Sequence, residues 1–453
     1  MIHIKNATAV LMSADAEPLR NADVLIEENL VKKVGQNLST PEGAQVIDAS
    51  GHVVVPGLVN THHHFYQTFT RNLPAVQNAK LFDWLVYLYD IWKHMDADTV
   101  WWSTVLASAE LLKTGCTTST DHHYLYPQGI GADIMALQFD AADRLGLRFS
   151  PTRGSMSRSK KDGGLPPDTV VQTEAEILAD SERVIKEFHD SHPQSMRKVV
   201  LAPCSPFSVS EGLMKDSAAL ARQYGVRIHT HLAETNDEDD YCVEMYKRRP
   251  VQLMADNDFL GKDVFFAHGI FFNDAELDQL AETGTHIAHC PSSNMRLGSG
   301  ICRVREMLDR GINVALALDG SASNDTSDLL GEARQAMLLQ RVSKGSAGLT
   351  SQETWRVATE NGAKLLGFEK IGRIQEGWAA DLAIFNVNDI PYVGTQSDPV
   401  AALLFAGYDH KTAYTIVNGK VVVEKGQLVG MDEKELVAKA SDAVLSLYQR
   451  AGV

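Results

Sequence analysis

Cysteine is scarce and scattered in this chain: Cys116, Cys204, Cys242, Cys290 and Cys302, with no C-x-x-C pair. An odd set of separated thiols makes neither a disulfide framework nor a cysteine zinc site. Buried or semi-buried free thiols in a reducing compartment are expected. Positive charge is also short. The chain has 42 Lys and Arg against 58 Asp and Glu, a net charge of -16. That balance argues against nucleic acid or an anionic membrane as main partner, and says little about a neutral small substrate. No long uncharged apolar run occurs, so no membrane span is expected. The start alternates apolar and polar residues and lacks the basic stretch and apolar core of a signal peptide. A cytoplasmic protein is the expectation. Short internal repeats and low-complexity tracts are absent as well.

What remains is a composition of 44% hydrophobic and 22% charged residues over 453 positions, enough to bury a large core. The two ends differ from the middle. Short β-rich runs at 2–4, 23–27, 31–34, 45–48 and 52–55 are punctuated by Gly35, Gly43 and Gly51. The same texture returns at 381–385, 413–417 and 420–423, where Asn418-Gly419 between two β-rich runs signals a hairpin. Strands from both ends could form one small β domain. Between them, apolar runs at 199–201, 226–230, 264–267, 286–288 and 314–318 alternate with amphipathic stretches. Such βα alternation implies parallel strands, and its rhythm suits a (β/α)8 barrel better than an open sheet. Residues 433–448 read as a terminal amphipathic helix.

Reactive residues stand at the ends of four predicted strands, where a barrel keeps its active site. The first is Pro56-Gly57-Leu58-Val59-Asn60-Thr61-His62-His63-His64. In extended backbone, residues i and i+2 point the same way, so His62 and His64 can share one ion while His63 faces elsewhere. The second is Ile228-His229-Thr230-His231-Leu232-Ala233-Glu234. It offers a third imidazole from His231 or His229, and Glu234 is placed to touch a metal-bound water. Glu234 also suits a helix start, where the dipole favours a carboxylate. The third is Phe266-Ala267-His268-Gly269. The fourth is five apolar residues ending in Asp319-Gly320, a carboxylate costly to bury without a metal or hydrogen-bonded partner. Three imidazoles and one carboxylate suit zinc, which lowers the pKa of bound water to about 7. Fe2+ or Mn2+ suits similar donors. Glu234 could move the water proton to a ring nitrogen and then to a leaving amine. Asp319 and His268 could orient the nucleophile and take its other proton.

These motifs, in this order, resemble the amidohydrolase superfamily, and the likeness covers essentially the whole chain. The P-G-L-V-N-T-H-x-H, H-L-A-E, A-H-G and L-D-G segments carry it. So does the ending Gly372-Arg373-Ile374-Gln375-Glu376-Gly377-Trp378-Ala379-Ala380-Asp381-Leu382. The resemblance implies a metal-bearing barrel flanked by a composite β-sandwich, divided as 1–58 (sandwich), 59–371 (barrel) and 372–453 (sandwich and terminal helix). It implies His62, His64, His231 and Asp319 as ligands of one ion per chain. That favours His231 over His229 and makes Glu234 and His268 catalytic. A homo-oligomer is implied too. No lysine sits at an obvious bridging position, which is similar to the mononuclear aminohydrolase branch of deaminases and triazine hydrolases.

Within that branch, the segments 120–127, 202–207, 290–297 and 319–325 resemble the 8-oxoguanine deaminases. The implied reaction is 8-oxoguanine to uric acid plus ammonia. Alternatives are isoxanthopterin, guanine or a hydroxylated s-triazine as substrate, or a non-enzymatic binding barrel. Gln67, three residues after His64, offers donor and acceptor to a lactam edge. Cys204 stands where guanine deaminases carry an arginine. Trp84 could stack on a flat ring or serve as core. His123 and His289 end other predicted strands and could line the pocket or be structural.

Overall fold

In the computed structural model, which describes every residue except Tyr408, the middle of the chain closes into a barrel. Its first strand is Leu58–Asn60 and its second Cys116–Ser119, extended by His122–His123. The third runs through Arg148–Phe149 and Thr152–Ser155, and the fourth is Val200–Pro203. Arg227–Leu232, Val264–His268, His286–His289 and Val314–Leu316 complete the set. Neighbours pair in parallel. The eighth strand closes on the first: the Thr61 amide donates to the Leu316 carbonyl (3.1 Å) and the Leu318 amide to the His62 carbonyl (3.2 Å). These strands are covered on both faces, which is why they read as apolar runs instead of alternating ones.

The two ends of the chain meet in one nine-stranded mixed sheet. The splice is an antiparallel pairing of His52–Pro56 with Leu382–Asn386, Val54 opposite Ile384. Asn418 and Gly419 have φ of 49° and 76°, the two left-handed positions that the tightest hairpin turn demands. Between sheet and barrel the backbone turns at Gly57, where a Cβ would lie 2.1 Å from Thr117 Oγ1.

Sheet and barrel are also joined by a buried ion pair. Arg148 of the third barrel strand lies 2.9 Å from Asp381, and both are essentially without solvent contact. The Arg148 guanidinium also donates to the carbonyls of Gln194 and Ser195, and Asp381 accepts the Asn418 amide. A buried pair with its remaining hydrogen bonds satisfied is costly to halve. Arg148→Met is expected to destabilise the fold by about 3–5 kcal/mol, because it leaves a buried carboxylate uncompensated. A urea titration measures this. Adding Asp381→Leu should recover part of the loss, and an unchanged midpoint in the single variant would contradict the prediction.

Above the barrel mouth lies the helix Leu81–Trp92. Trp84, Leu85, Leu88 and Tyr89 bury themselves in one apolar cluster with Tyr124, Cys204 and Phe207 below and Ala443 and Leu447 of the terminal helix Glu433–Ala451 behind. Tyr448 of that helix donates its hydroxyl to the Phe69 carbonyl (2.7 Å). No helix among the described residues is long and apolar enough to cross a membrane.

Candidate active site

His62 and His64 leave the first strand on its inward side, while His63 turns away to Ser327 Oγ (3.0 Å). The Nδ1 of His64 donates to the His122 carbonyl (2.7 Å), and the Nδ1 of His231 to the Cys204 carbonyl (2.6 Å). A carbonyl only accepts, so in both neutral rings Nε2 carries the lone pair. Those two Nε2 atoms nonetheless face each other at 3.2 Å. Asp319 Oδ1 lies 3.2 Å from His64 Nε2 and 3.4 Å from His62 Nε2, and the latter is buried with no hydrogen-bond partner. Two lone pairs and a carboxylate oxygen pointed at one small volume, with the unpartnered His62 Nε2 beside them, repel one another unless a cation sits among them. The donor set fits a divalent metal ion. His122, whose ring stacks on His231 at 4.7 Å, belongs to the same group of potential ligand atoms.

Around these donors stand groups suited to moving protons. Glu234 Oε2 is 3.5 Å from His268 Nε2, and His268 Nδ1 bonds the Asn294 side-chain oxygen (3.0 Å). Burial, reinforced by the nearby Asp319 carboxylate, holds the Glu234 carboxyl well above the ordinary range. The turn presenting it is clamped by Glu238, which accepts the backbone amides of Ala233 (2.8 Å) and Glu234 (3.2 Å). Asp319 Oδ2 accepts hydroxyls from Ser293 (2.5 Å) and Ser323 (3.0 Å). Ala233, His268 and Asp319 all have left-handed backbone, φ 55°, 72° and 65°. Such positions cost about 1–3 kcal/mol each and persist where the surroundings enforce them.

The pocket beside these groups is lined by Gln67, Trp84 and Cys204, with Leu81, Leu85, Tyr89, Tyr124, Phe207 and Leu297 as its apolar and aromatic wall. Gln67 Oε1 is buried without a hydrogen-bond partner. It fits only because residue 320 is glycine: a Cβ there would fall 1.9 Å from Gln67 Oε1. Burial pushes the Cys204 thiol up to about 12, so it presents a neutral S–H.

A model of the amidohydrolase family matches residues 53–422. The chain belongs to the amidohydrolase family. It is 45% identical to 8-oxoguanine deaminase of Pseudomonas aeruginosa over 413 residues, covering 91% of each chain. It is 34% identical to isoxanthopterin deaminase of an unknown prokaryotic organism, covering 99% of this chain and 98% of that one. Among solved structures it superposes with a TM-score of 0.94 on a mutant of atrazine chlorohydrolase from Arthrobacter aurescens TC1 complexed with zinc and atraton. That pair is 30% identical, with 98% and 100% of the chains covered. As an amidohydrolase, this protein is a metal-dependent hydrolase acting on C–N bonds.

The fold brings His62, His64, His231, Asp319, Glu234 and His268 to one barrel mouth, with Gln67, Trp84 and Cys204 around it. His123 and His289 are not in the pocket lining. His123 Nε2 bonds the Leu125 carbonyl (2.8 Å), and both ring nitrogens of His289 are buried without hydrogen-bond partners. Of the adjacent pair at the second strand's extension, His122 is the one that reaches the imidazole cluster. Sequence reading missed that, together with the wall helix, Tyr124, and the Glu238 clamp. The only signal for Glu238 was a carboxylate four residues after Glu234, a spacing too common to single out.

Proposed function

We propose that this amidohydrolase is a zinc enzyme that deaminates 8-oxoguanine, giving uric acid and ammonia. His62, His64, His231 and Asp319 hold the ion. The observation that carries the substrate is the 45% identity, over nearly all of both chains, with 8-oxoguanine deaminase of Pseudomonas aeruginosa. The pocket supports it: an aromatic and apolar slot with one buried amide, Gln67, lacking a protein partner for its oxygen.

When bound, the ion supplies Lewis acidity that makes water nucleophilic near neutral pH. Gln67 presents Oε1 to the ring N–H of the lactam and its amide N–H to the adjoining C=O. Trp84 gives a flat apolar surface to the ring. The short neutral thiol of Cys204 leaves room for an oxygen on the five-membered ring. Glu234 takes a proton from the attacking water, passes it to the ring nitrogen beside the amine-bearing carbon, and then protonates the amine as it leaves. His268, oriented by Asn294, and Asp319, oriented by Ser293 and Ser323, receive the second water proton and return it to Glu234, 3.5 Å from His268, and this is the proton that Glu234 gives the departing amine. One water enters and one ammonia leaves, so the ring keeps its oxidation state.

Ammonia release should be fastest with 8-oxoguanine in a panel with isoxanthopterin, guanine and a hydroxylated triazine. No turnover of 8-oxoguanine by metal-replete enzyme would sink the substrate. The 34% identity to isoxanthopterin deaminase supports a second reading, the same chemistry on a pterin, and that panel separates the two.

The amide contact has its own test. Gln67→Ala is expected to lower kcat/KM by about 10–100-fold, the loss of one or two buried hydrogen bonds. Gly320→Ala, which drives a methyl group into Gln67, should reproduce much of that loss. Unchanged kcat/KM in both variants would remove Gln67 from substrate recognition.

A further inference from the structure

The three imidazoles of the ion site are not held alike. His64 and His231 each donate Nδ1–H to a main-chain carbonyl, which no side-chain substitution can delete. His62 has no such carbonyl: its Nδ1 lies 2.9 Å from Nε2 of His229, whereas the Cys204 thiol 3.7 Å from His231 Nδ1 only adds to the carbonyl there. The other nitrogen of His229, Nδ1, lies 2.9 Å from the Phe265 carbonyl. Its ring is also fixed flat against the Phe265 ring, centroids 4.1 Å apart and planes 15° from parallel. Both His62 and His229 are fully buried.

We propose that His229 is a positioning residue that sets the tautomer of His62 through a two-step hydrogen-bond relay from the Phe265 carbonyl. The carbonyl can only accept, so His229 carries its proton on Nδ1 and offers a lone pair on Nε2. His62 must then donate from Nδ1. Its Nε2, which lies 3.4 Å from Asp319 Oδ1 without a hydrogen bond, is left with a lone pair for the ion. Without the relay, His62 could place its proton on Nε2 and donate it to Asp319, which withdraws two donors from the ion at once. His229 and His231 thus stand on the same fifth strand with different roles. His231 is a ligand, and His229 selects the form of one.

This inference rests on His62 being a ligand, so His62→Ala is the control. The test compares His229→Phe, which keeps the ring stacked on Phe265 but has no acceptor, with His229→Gln, whose side-chain oxygen can accept from His62. Zinc-loaded enzyme is titrated with a competing chelator. His229→Phe should bind zinc about 10–100-fold more weakly, the usual effect of losing a group that orients a ligand. His229→Gln should remain within a few-fold of the parent. With cobalt in the site, the visible absorption of His229→Gln should match the parent and that of His229→Phe should differ. Equal losses in both variants would show a packing role and overturn the relay, and so would undiminished affinity in His229→Phe. If His62→Ala itself retains zinc, the ligand assignment fails and the relay falls with it.

Discussion

Glu234→Gln is expected to lower kcat by about 10²–10⁴-fold, the range for loss of a positioned acid–base group, while leaving metal content unchanged. Glutamine has the same shape and can still sit in the turn clamped by Glu238, so the backbone amides of residues 233 and 234 keep their acceptor. What it cannot do is take a proton from water and return it to the substrate. Glu234 belongs to neither cluster of potential ligand atoms, that of His62, His64, His122 and His231 or that of His62, His268 and Asp319, so the ion should be retained. KM should change much less than kcat, because the pocket wall and Gln67 are untouched. Steady-state kinetics alongside elemental analysis reads all three quantities. Near-parental kcat would assign proton transfer to another group, with His268 the first candidate, since it lies 3.5 Å from Glu234.

The second large effect concerns the ion. Chelation should abolish ammonia release, and adding back zinc should restore it with one ion bound per chain. His231→Ala should give the same loss without rescue at ordinary zinc concentrations. The reason lies in the arrangement: with the Nδ1 atoms of His64 and His231 committed to carbonyls, their Nε2 lone pairs have no neutral role at a separation of 3.2 Å. Reconstitution with Fe2+ and Mn2+ alongside zinc compares ions that share these donors, since selectivity depends on geometry and availability. Full activity in chelated, metal-free enzyme would refute the proposed chemistry, and a second tightly bound ion would implicate His122.

Much of this was visible in the sequence because a barrel sorts residues by position along a strand. Apolar runs ending in His231, His268 and Asp319 mark strand ends, and the i, i+2 spacing of His62 and His64 marks one face. The Asn418-Gly419 pair announced its hairpin by conformation alone. The pocket wall was different. The helix Leu81–Trp92 has an apolar face, but periodicity shows which side is buried and not what it is buried against. At the second strand the chain breaks after Ser119 and resumes at His122–His123. Alternation cannot be counted across such a break, and a one-residue slip exchanges inward for outward. The left-handed positions themselves, Ala233, His268 and Asp319, are not glycines, so residue type does not mark their conformation.

The helix over the barrel mouth also ties the pocket to the far end of the chain. Its Leu81, Trp84, Leu85 and Tyr89 line the pocket beside the imidazole cluster. Its rear support is the terminal helix, through Ala443, Leu447 and the Tyr448 hydroxyl on the Phe69 carbonyl. The last twenty or so residues, which contribute nothing to the pocket lining, therefore act as a buttress: they brace from behind the wall against which a flat ring would lie.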